Sequence, residues 1–218
     1  WNGHKVNLID TPGYADFVGE VRAALRVVDL AVFVVSAVEG VEVQTEAIWQ
    51  EAAALAVPRL IFVNKLDRER ASFERTLEEL RHRLGAGVAP LEIPIGVETA
   101  FGGIADLLTD TAHIYDGGVP RRAPIPEEMA TLERQVHDNL VEGIVVADDG
   151  LLERYLDGDD LSVDELEHAL TVGIEQALVF PVVCGSATTE VGIDRLADFL
   201  VEIGPPPGDR PAVVRAAG

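Results

Sequence analysis

The sequence predicts an α/β fold, a doubly wound and mostly parallel β-sheet that carries an α+β insertion. Two observations support this prediction. Short apolar runs, each suited to one strand buried on both faces, alternate with segments that have the 3.6-residue apolar period of helices. A stretch of different and very acidic composition interrupts this alternation between residues 86 and 180. Such alternation is typical of parallel sheets covered by helices on both faces.

The first part of the chain contains three predicted strands and three predicted helices. The strands are residues 5–9, 30–35 and 60–63, and the helices are residues 15–28, 43–56 and 75–84. Ser72 is predicted to cap the third helix at its start, and Gly85 to end it. A polar motif directly follows the first strand and another follows the third. In parallel sheets, ligands bind beyond the carboxyl ends of the strands, which is where both motifs lie.

Residues 86–180 are predicted to form an inserted subdomain. A short strand is expected at residues 90–95, a turn at Gly102-Gly103, and further strands within residues 104–116. Residues 127–175 have a helical pattern and contain 15 Asp or Glu against two Arg, with a loop at residues 157–162 before a helix that starts near Val163. A solvated helical face is the simpler explanation of this charge, and a docking surface for a basic partner is the alternative.

The chain returns to the first pattern after the insertion. Residues 181–184 are predicted as a strand and residues 192–203 as the final helix, and Pro205-Pro206-Pro207 begins a linker. The predicted organisation is therefore one α/β domain made of residues 1–85 and 181–204, an insertion at residues 86–180, and a linker at residues 205–218 toward a second domain outside this chain.

Composition excludes several classes of function. The net charge of −21 argues against a basic face for nucleic acid, so no direct sequence-specific contact with nucleic acid is expected. Cys184 is the only cysteine, and the five histidines have no metal-ligand spacing, so a disulfide framework and a Cys/His metal site are not expected. No signal peptide or membrane span is apparent, which favours a cytoplasmic location. The chain begins at Trp1 and not at Met, so we expect its native N-terminus to lie elsewhere.

Asp10-Thr11-Pro12-Gly13 follows the first strand and has the D-x-x-G pattern of a loop that senses a γ-phosphate. Asp10 at a strand end can hold Mg²⁺, directly or through water. Gly13 allows close approach of the backbone, and its N–H can donate to a γ-phosphate oxygen. The alternative for this motif alone is an ordinary Pro-Gly turn.

Asn64-Lys65-Leu66-Asp67 follows the third strand and has the N-K-x-D pattern that recognises guanine. The Asp67 carboxylate can accept from the guanine N1–H and exocyclic amine, and adenine presents a different pattern on that edge. Asn64 can tie the base to neighbouring loops, and the Lys65 stem can pack over the ring. Ser186-Ala187, after the last strand, can supply a backbone N–H to the guanine carbonyl oxygen. The three motifs in this order, each after a buried strand, predict binding of GTP and GDP.

The phosphate-cradling pattern G-x-x-x-x-G-K-[ST] does not occur in the 218 residues. The predicted fold is thus like that of P-loop NTPases without the first strands. Removing a central strand leaves backbone groups unpaired at ~1–3 kcal/mol each. We therefore expect the two flanking strands to close together, or another segment or chain to fill the gap, as in a strand-exchanged or edge-paired dimer. Nucleotide affinity of the chain itself should be low.

The motifs resemble those of elongation factor G. The resemblance is carried by residues 10–17, 36–46, 62–68, 94–96 and 184–187, and by the position of the insertion, which elongation factor Tu lacks. It implies a translational GTPase that uses GTP and Mg²⁺ and acts on the ribosome in translocation or recycling. It also implies that the inserted subdomain meets the ribosomal stalk protein. Similar first domains occur in ribosomal protection proteins and release-factor GTPases, so these alternatives stay open.

Tyr14 departs from the family pattern, which has His at this position. That His positions the attacking water when the ribosome activates the factor. Tyr is neutral at pH 7, with a pKa of roughly 10, and has no imidazole to orient water. We expect weakened or altered hydrolysis, with Tyr14 and Gly13 as the catalytic positions. The alternatives are that another group orients the water, that the protein is a non-hydrolysing GTP-dependent binding module, or that it is a scaffold working through its acidic insertion.

Overall fold

The structure is a computed structural model that describes residues 1–207, with the side chains of Ala15 and Val163 left out. Most of the predicted linker, residues 208–218, lies outside the described residues. None of the helices in residues 1–207 is long and apolar enough to cross a membrane.

The predicted parallel sheet is present and has four strands. They are β1 (Ala31–Ser36), β2 (Arg59–Asn64), β3 (Val88–Pro90) and β8 (Phe180–Cys184), the last numbered after four strands of a second sheet. Their order is β1-β2-β8-β3, and every neighbouring pair is parallel. The central strands β2 and β8 are buried almost throughout, as continuous apolar runs predict.

The helices of the parallel-sheet region follow the predicted segments closely. They are α1 (Val18–Leu25), which a short 3₁₀ turn precedes, α2 (Val43–Ala54), α3 (Phe73–Leu84) and α7 (Ile193–Glu202). Ser72 caps α3 as predicted, because its side chain accepts a hydrogen bond from Arg75 N–H, and Gly85 follows the helix with a positive φ of 115°.

The second sheet is antiparallel and is built from consecutive strands. These are β4 (Glu92–Ile95), β5 (Gly103–Asp106), β6 (Thr111–Asp116) and β7 (Val119–Ala123), in the order β4-β5-β6-β7. Three helices follow: α4 (Ala130–Val145), α5 (Asp149–Asp157) and α6 (Val163–Glu175). The predicted loop before residue 163 is confirmed, since Ser162 and Glu165 form a reciprocal capping box at the start of α6.

Two details of the insertion differ from the sequence prediction. Residues 90–95 are not one strand, because Pro90 ends β3 in the parallel sheet and Glu92 begins β4 in the antiparallel sheet. Gly103 is not a turn residue but the first residue of β5, where a side chain would meet His113 O of the neighbouring strand at 2.9 Å. The chain thus passes from one sheet to the other within a few residues. The predicted domain boundaries stay a prediction.

The prediction of a strand at residues 5–9 is wrong. These residues are neither strand nor helix, and Leu8 and Ile9 are 83% and 54% exposed. Within residues 1–207, β1 pairs only with β2, so the expected closure of the two flanking strands does not occur either. A strand needs a partner for its backbone groups, and alternating apolar residues do not supply one. Pairing with a second chain stays a prediction.

A group of ionisable side chains lies between the antiparallel sheet and α7 and is called here the junction cluster: the buried Glu92, Asp106 and Arg195 and the partly buried Asp198. Arg195 Nη2 donates to Asp106 Oδ2 at 2.7 Å, and Nη1 donates to Asp198 Oδ2 at 2.9 Å. Glu92 Oε1 lies 3.7 Å from Arg195 Nε, and neither of these two atoms has a hydrogen-bond partner. One guanidinium therefore faces three carboxyl groups, and the fully buried Glu92 is the one with no hydrogen bond from it.

This arrangement predicts a pH dependence of stability. Burial raises the pKa of the Glu92 carboxyl to about 8. The hydrogen bond from Cys184 N–H and the charge of Arg195 lower this pKa, and the charges of Asp106 and Asp194 raise it. Between its usual value of 4.5 and about 8, folded Glu92 keeps a proton that the unfolded chain has lost. The free energy of unfolding should therefore fall as pH rises through this window, by on the order of 3–5 kcal/mol.

Urea unfolding of the wild type and of Glu92→Gln checks this expectation. It is measured from roughly pH 5 to 8.5, which spans the window between the two pKa values. Since Gln does not titrate, the difference between the two proteins isolates Glu92 from all other groups. A difference that stays constant across this range would contradict the raised pKa.

Candidate functional site

Asn64 links the loop after β2 to the loop after β8. Its side-chain oxygen Oδ1 accepts from Lys65 N–H at 2.8 Å and from Ala187 N–H at 3.0 Å. Because β2 and β8 are adjacent and parallel, their carboxyl ends bring these loops side by side. The structure therefore brings two of the three predicted motifs into direct contact.

Asp67 is fixed by the same neighbouring loop. Its Oδ1 accepts from Ser186 Oγ at 2.6 Å, and Ser186 itself is fully buried and also accepts from Thr189 N–H at 3.3 Å. Asp67 Oδ2 lies 3.5 Å from Arg68 Nε, and the Asp67 side chain is 14% exposed. These contacts already order the carboxylate, so a ligand that binds it does not have to order it first. A carboxylate fixed in this way can accept from two N–H donors.

The backbone amides of the Ser186-Ala187 pair are engaged within the protein. Ser186 N–H donates to Val191 O at 2.9 Å, and Ala187 N–H donates to Asn64. Their donation to a guanine carbonyl oxygen stays a prediction. For Ala187 N–H to donate there, it would have to leave Asn64 Oδ1 or share its hydrogen between the two oxygens.

Lys65 has a positive φ of 67° and an ammonium group directed toward the loop after β1. Its Nζ lies 3.2 Å from Glu39 Oε2, and Glu39 also accepts from Ser36 Oγ. These hydrogen bonds, first that from Ser36 and then that from Lys65, lower the pKa of the Glu39 carboxyl. Sequence reasoning did not single out Glu39, although it follows the carboxyl end of β1 just as Lys65 follows the carboxyl end of β2.

An open cavity of about 360 Å³ lies at the carboxyl ends of β1 and β2. Ser36, Glu39, Asn64 and Lys65 line it, together with Gly40 and Thr45. Gly40 has a positive φ of 77°, and a side chain there would meet the Glu79 carboxylate. Asn64 and Lys65 of the guanine motif line this cavity, whereas Asp67 is not among its lining residues. The predicted guanine contacts of Asn64, Lys65 and Asp67 stay predictions.

Gly185 gives a test of how tightly the loop after β8 is packed. A Cβ at this position would lie 2.3 Å from Val191 O and 2.9 Å from Phe62 Cζ. Gly185→Ala should therefore push Ser186 away from Asp67 and lower the free energy of unfolding by about 1–3 kcal/mol. Urea unfolding measures the loss, and Gly102→Ala is the matched control, because a Cβ there would meet only Ala100 O at 3.8 Å. An unchanged stability of Gly185→Ala would contradict the close packing.

The loop that contains Asp10, Gly13 and Tyr14 takes no part in these contacts. No hydrogen bond or ion pair of the described residues joins it to Asn64, Asp67 or Ser186, and Tyr14 is 79% exposed. Asp10 lines a second cavity of about 360 Å³ against α1. Because residues 5–9 form no strand, no sheet edge carries this loop to the carboxyl ends of β1 and β2. The predicted roles of Asp10, Gly13 and Tyr14 stay predictions.

The residues described do not form a magnesium site by themselves. Mg²⁺ prefers an octahedral set of oxygen ligands. Asp10 and Glu20 line the same cavity, but residues 1–207 contain no group of three or more His, Cys, Asp or Glu side chains placed to hold a metal ion.

Comparison with known proteins decides which family has this arrangement. A profile of the elongation factor Tu GTP binding domain matches residues 1–206. The chain belongs to this GTP-binding domain family. The GTP-binding domain is also similar to elongation factor G of Mycoplasma genitalium, with 42% identity over 214 residues, and to that of Mycoplasma pneumoniae, with 41% identity over 214 residues. Each alignment covers 97% of this chain and 31% of the relative, so the chain spans about a third of their length.

A solved structure agrees with the sequence relatives. The crystal structure of a protein from Thermus thermophilus matches the GTP-binding domain with a TM-score of 0.84 and 37% identity, over 95% of this chain and 31% of that protein. The predicted α/β fold class and the resemblance to elongation factor G are confirmed.

Proposed function

We propose that the chain is the guanine-nucleotide-binding region of a translational GTPase similar to elongation factor G. The observation that supports it most is the double connection between the loops after β2 and β8. Asn64 Oδ1 holds Ala187 N–H at 3.0 Å, and Ser186 Oγ holds Asp67 Oδ1 at 2.6 Å. These are the residue types of the guanine motif, already ordered around one edge of the sheet.

Recognition of guanine follows from the chemistry of Asp67. Guanine presents N1–H and an exocyclic amine on one edge, and both are donors to the carboxylate. Adenine presents an acceptor at N1 and no amine at C2, so it would leave the Asp67 carboxylate facing a lone pair. An unpaired polar group in a desolvated site is costly, and selectivity for guanine over adenine follows.

The phosphates have few partners in this chain. The base contacts amount to a few hydrogen bonds at ~0.5–1.5 kcal/mol net each. Micromolar binding needs about 8 kcal/mol. Residues 1–218 are therefore proposed to bind GDP weakly, and the tight binding of GTP with Mg²⁺, including a water-mediated role of Asp10 at the metal, is assigned to the whole protein.

The activity of the whole protein is proposed from its relatives, whose name is elongation factor G. It would hydrolyse GTP on the ribosome, in translocation or recycling, in the cytoplasm. The acidic helices α4 to α6 are proposed to meet the ribosomal stalk protein. Charge reversal at Asp157, Asp159 and Asp160 should then abolish binding of the stalk protein while GDP binding is unchanged.

Tyr14 is proposed to weaken or alter ribosome-stimulated hydrolysis. Its side chain has no imidazole to orient water, and it is exposed and free to meet the ribosome. Tyr14→His should raise the rate of GTP turnover on ribosomes. The proposal fails if the whole protein turns over GTP as fast as an ordinary elongation factor G and Tyr14→His brings no increase.

An NMR titration tests the guanine site in this chain. Amide resonances of Lys65, Asp67 and Ala187 should shift on addition of GDP at about 1–5 mM, where a binding free energy of about 4 kcal/mol is enough. ADP at the same concentrations is the matched control, because it carries the same phosphates, and it should leave these resonances in place. Equal shifts with ADP and GDP, or none with GDP, would overturn the proposed site.

A further inference from the structure

A buried carboxyl group of the antiparallel sheet reaches β8, the strand before residues 185–192, which contain Ser186 and Ala187 and are called here the guanine loop. Glu92 of β4 accepts through Oε2 from the backbone N–H of Cys184 at 3.1 Å. Glu92 is fully buried, and Cys184 is the last residue of β8, directly before Gly185 and Ser186. A side chain of one sheet thus fixes the backbone of the other sheet next to the guanine loop.

The other end of the same loop is also tied to the antiparallel sheet. α7 begins at Ile193, and its Arg195 forms the buried ion pair with Asp106 of β5. One residue earlier, Asp194 accepts from Tyr115 OH of β6 at 2.6 Å. Residues 185–192, which include Ser186 and Ala187, therefore run between two anchors on the same sheet.

The geometry of the junction cluster suggests a role beyond stability. Glu92 Oε1 and Arg195 Nε are buried, have no hydrogen-bond partner and lie 3.7 Å apart. Glu92 accepts from Cys184 N–H, and Arg195 donates to Asp106 and Asp198, so both side chains hold the elements around them through directional hydrogen bonds. Two of these elements are β8 and α7, which hold the two ends of the guanine loop.

We propose that Glu92 and Arg195 are positioning residues for guanine recognition, holding residues 185–192 so that Ser186 stays on Asp67 and Ala187 stays on Asn64. This inference rests on the proposed function, since guanine is the ligand that the loop would recognise. It assigns to the antiparallel sheet a part in nucleotide affinity, although neither Glu92 nor Arg195 is expected to touch the base. The occupancy of the guanine site and the packing of β4 and β5 against α7 are then linked.

The test compares two replacements of Glu92. Glu92→Gln keeps an oxygen for Cys184 N–H, and Glu92→Met has a similar volume but leaves that N–H unpaired. Hydrogen exchange of the Ser186 and Ala187 amides should accelerate by about tenfold or more in Glu92→Met and by less than about twofold in Glu92→Gln. The GDP concentration that half-saturates the NMR shifts of Lys65 should rise by about fivefold or more in Glu92→Met alone.

Controls separate positioning from general loss of stability. Ile144→Val removes one buried methylene from α4, away from the loop, and should change neither the exchange of Ser186 and Ala187 nor GDP binding. Amides of the β6–β7 hairpin report global opening in every variant. Arg195→Lys is a second probe, because one ammonium cannot hold Asp106 and Asp198 as the guanidinium does, and it should reproduce the Glu92→Met effects.

Several results would overturn the inference. The first is loop exchange in Glu92→Met that rises no more than exchange in the β6–β7 hairpin. The second is faster loop exchange with unchanged GDP affinity. Absence of GDP-dependent shifts in the wild type would overturn the proposed function instead, and the exchange data, which need no nucleotide, would still decide whether the cluster positions the loop.

Discussion

Asp67→Asn is expected to abolish guanine recognition. The carboxylate has one oxygen on Ser186 Oγ and the other beside Arg68, so the amide of Asn must place an NH₂ group at one of these positions or toward the base. If the Asn NH₂ group faces the base, the guanine N1–H and exocyclic amine meet a donor and have no acceptor. In fully formed enzymes, sites built around such hydrogen bonds discriminate against a mismatched partner by about 10⁴–10⁵. We expect the affinity of Asp67→Asn for GDP to fall by at least about 100-fold.

The measurement is the GDP titration followed through the amides of Lys65 and Ala187. At concentrations that shift these resonances in the wild type, Asp67→Asn should show no shift. Asp157→Asn makes the same chemical change on the exposed end of α5 and should bind GDP as the wild type does. Persistent GDP-specific shifts in Asp67→Asn would show that another group recognises the base.

Arg195→Met is expected to have the largest effect on stability. The change leaves Asp106, which is almost fully buried, and the partly buried Asp198 without their shared cation. Glu92, whose pKa is raised to about 8, is protonated at pH 7 and loses only a neighbour. Removing one partner of a buried ion pair costs about 3–5 kcal/mol, because the remaining charge stays desolvated. Contact between the guanidinium and the Phe199 ring, at 4.7 Å, is lost as well.

Urea unfolding at pH 7 measures this loss. Arg154→Met is the matched control, since Arg154 also pairs with two acids, Glu165 and Asp159, but at an exposed site where water replaces the lost partner. Arg154→Met should therefore destabilise the protein far less. Equal losses in the two variants would mean that the junction cluster is not a buried ionic cluster in solution.

Much of the fold was predictable because its signals are local. The continuous apolar runs of β2 and β8 identify buried strands, and Ser72 and Ser162 identify helix starts through their own side chains. The strand at residues 5–9 was predicted from the same type of pattern and is absent. Its pattern describes which face a strand would bury, and not whether a neighbouring strand is available to pair with it.

The candidate site was predictable in part for a similar reason. Asn64, Asp67, Ser186 and Ala187 follow predicted strands, and parallel pairing of β2 with β8 brings them together. Glu39, Glu92 and Arg195 were missed. Arg195 lies on an amphipathic helix and Glu92 between apolar residues of a short strand, where a charged residue is most simply expected to face water.

The sequence by itself determined the α/β class, the order of most elements and the loop positions of Asn64, Asp67, Ser186 and Ala187, since these depend on periodicity and on residues that are neighbours in the chain. Tertiary structure alone decided which strands pair, and that Glu92 is buried against Cys184 and Arg195. Those outcomes depend on residues that are far apart in the chain, as Glu92 is from Cys184 (92 positions) and Asp106 from Arg195 (89 positions). Folding either satisfies their backbone and charged groups or leaves them unpaired.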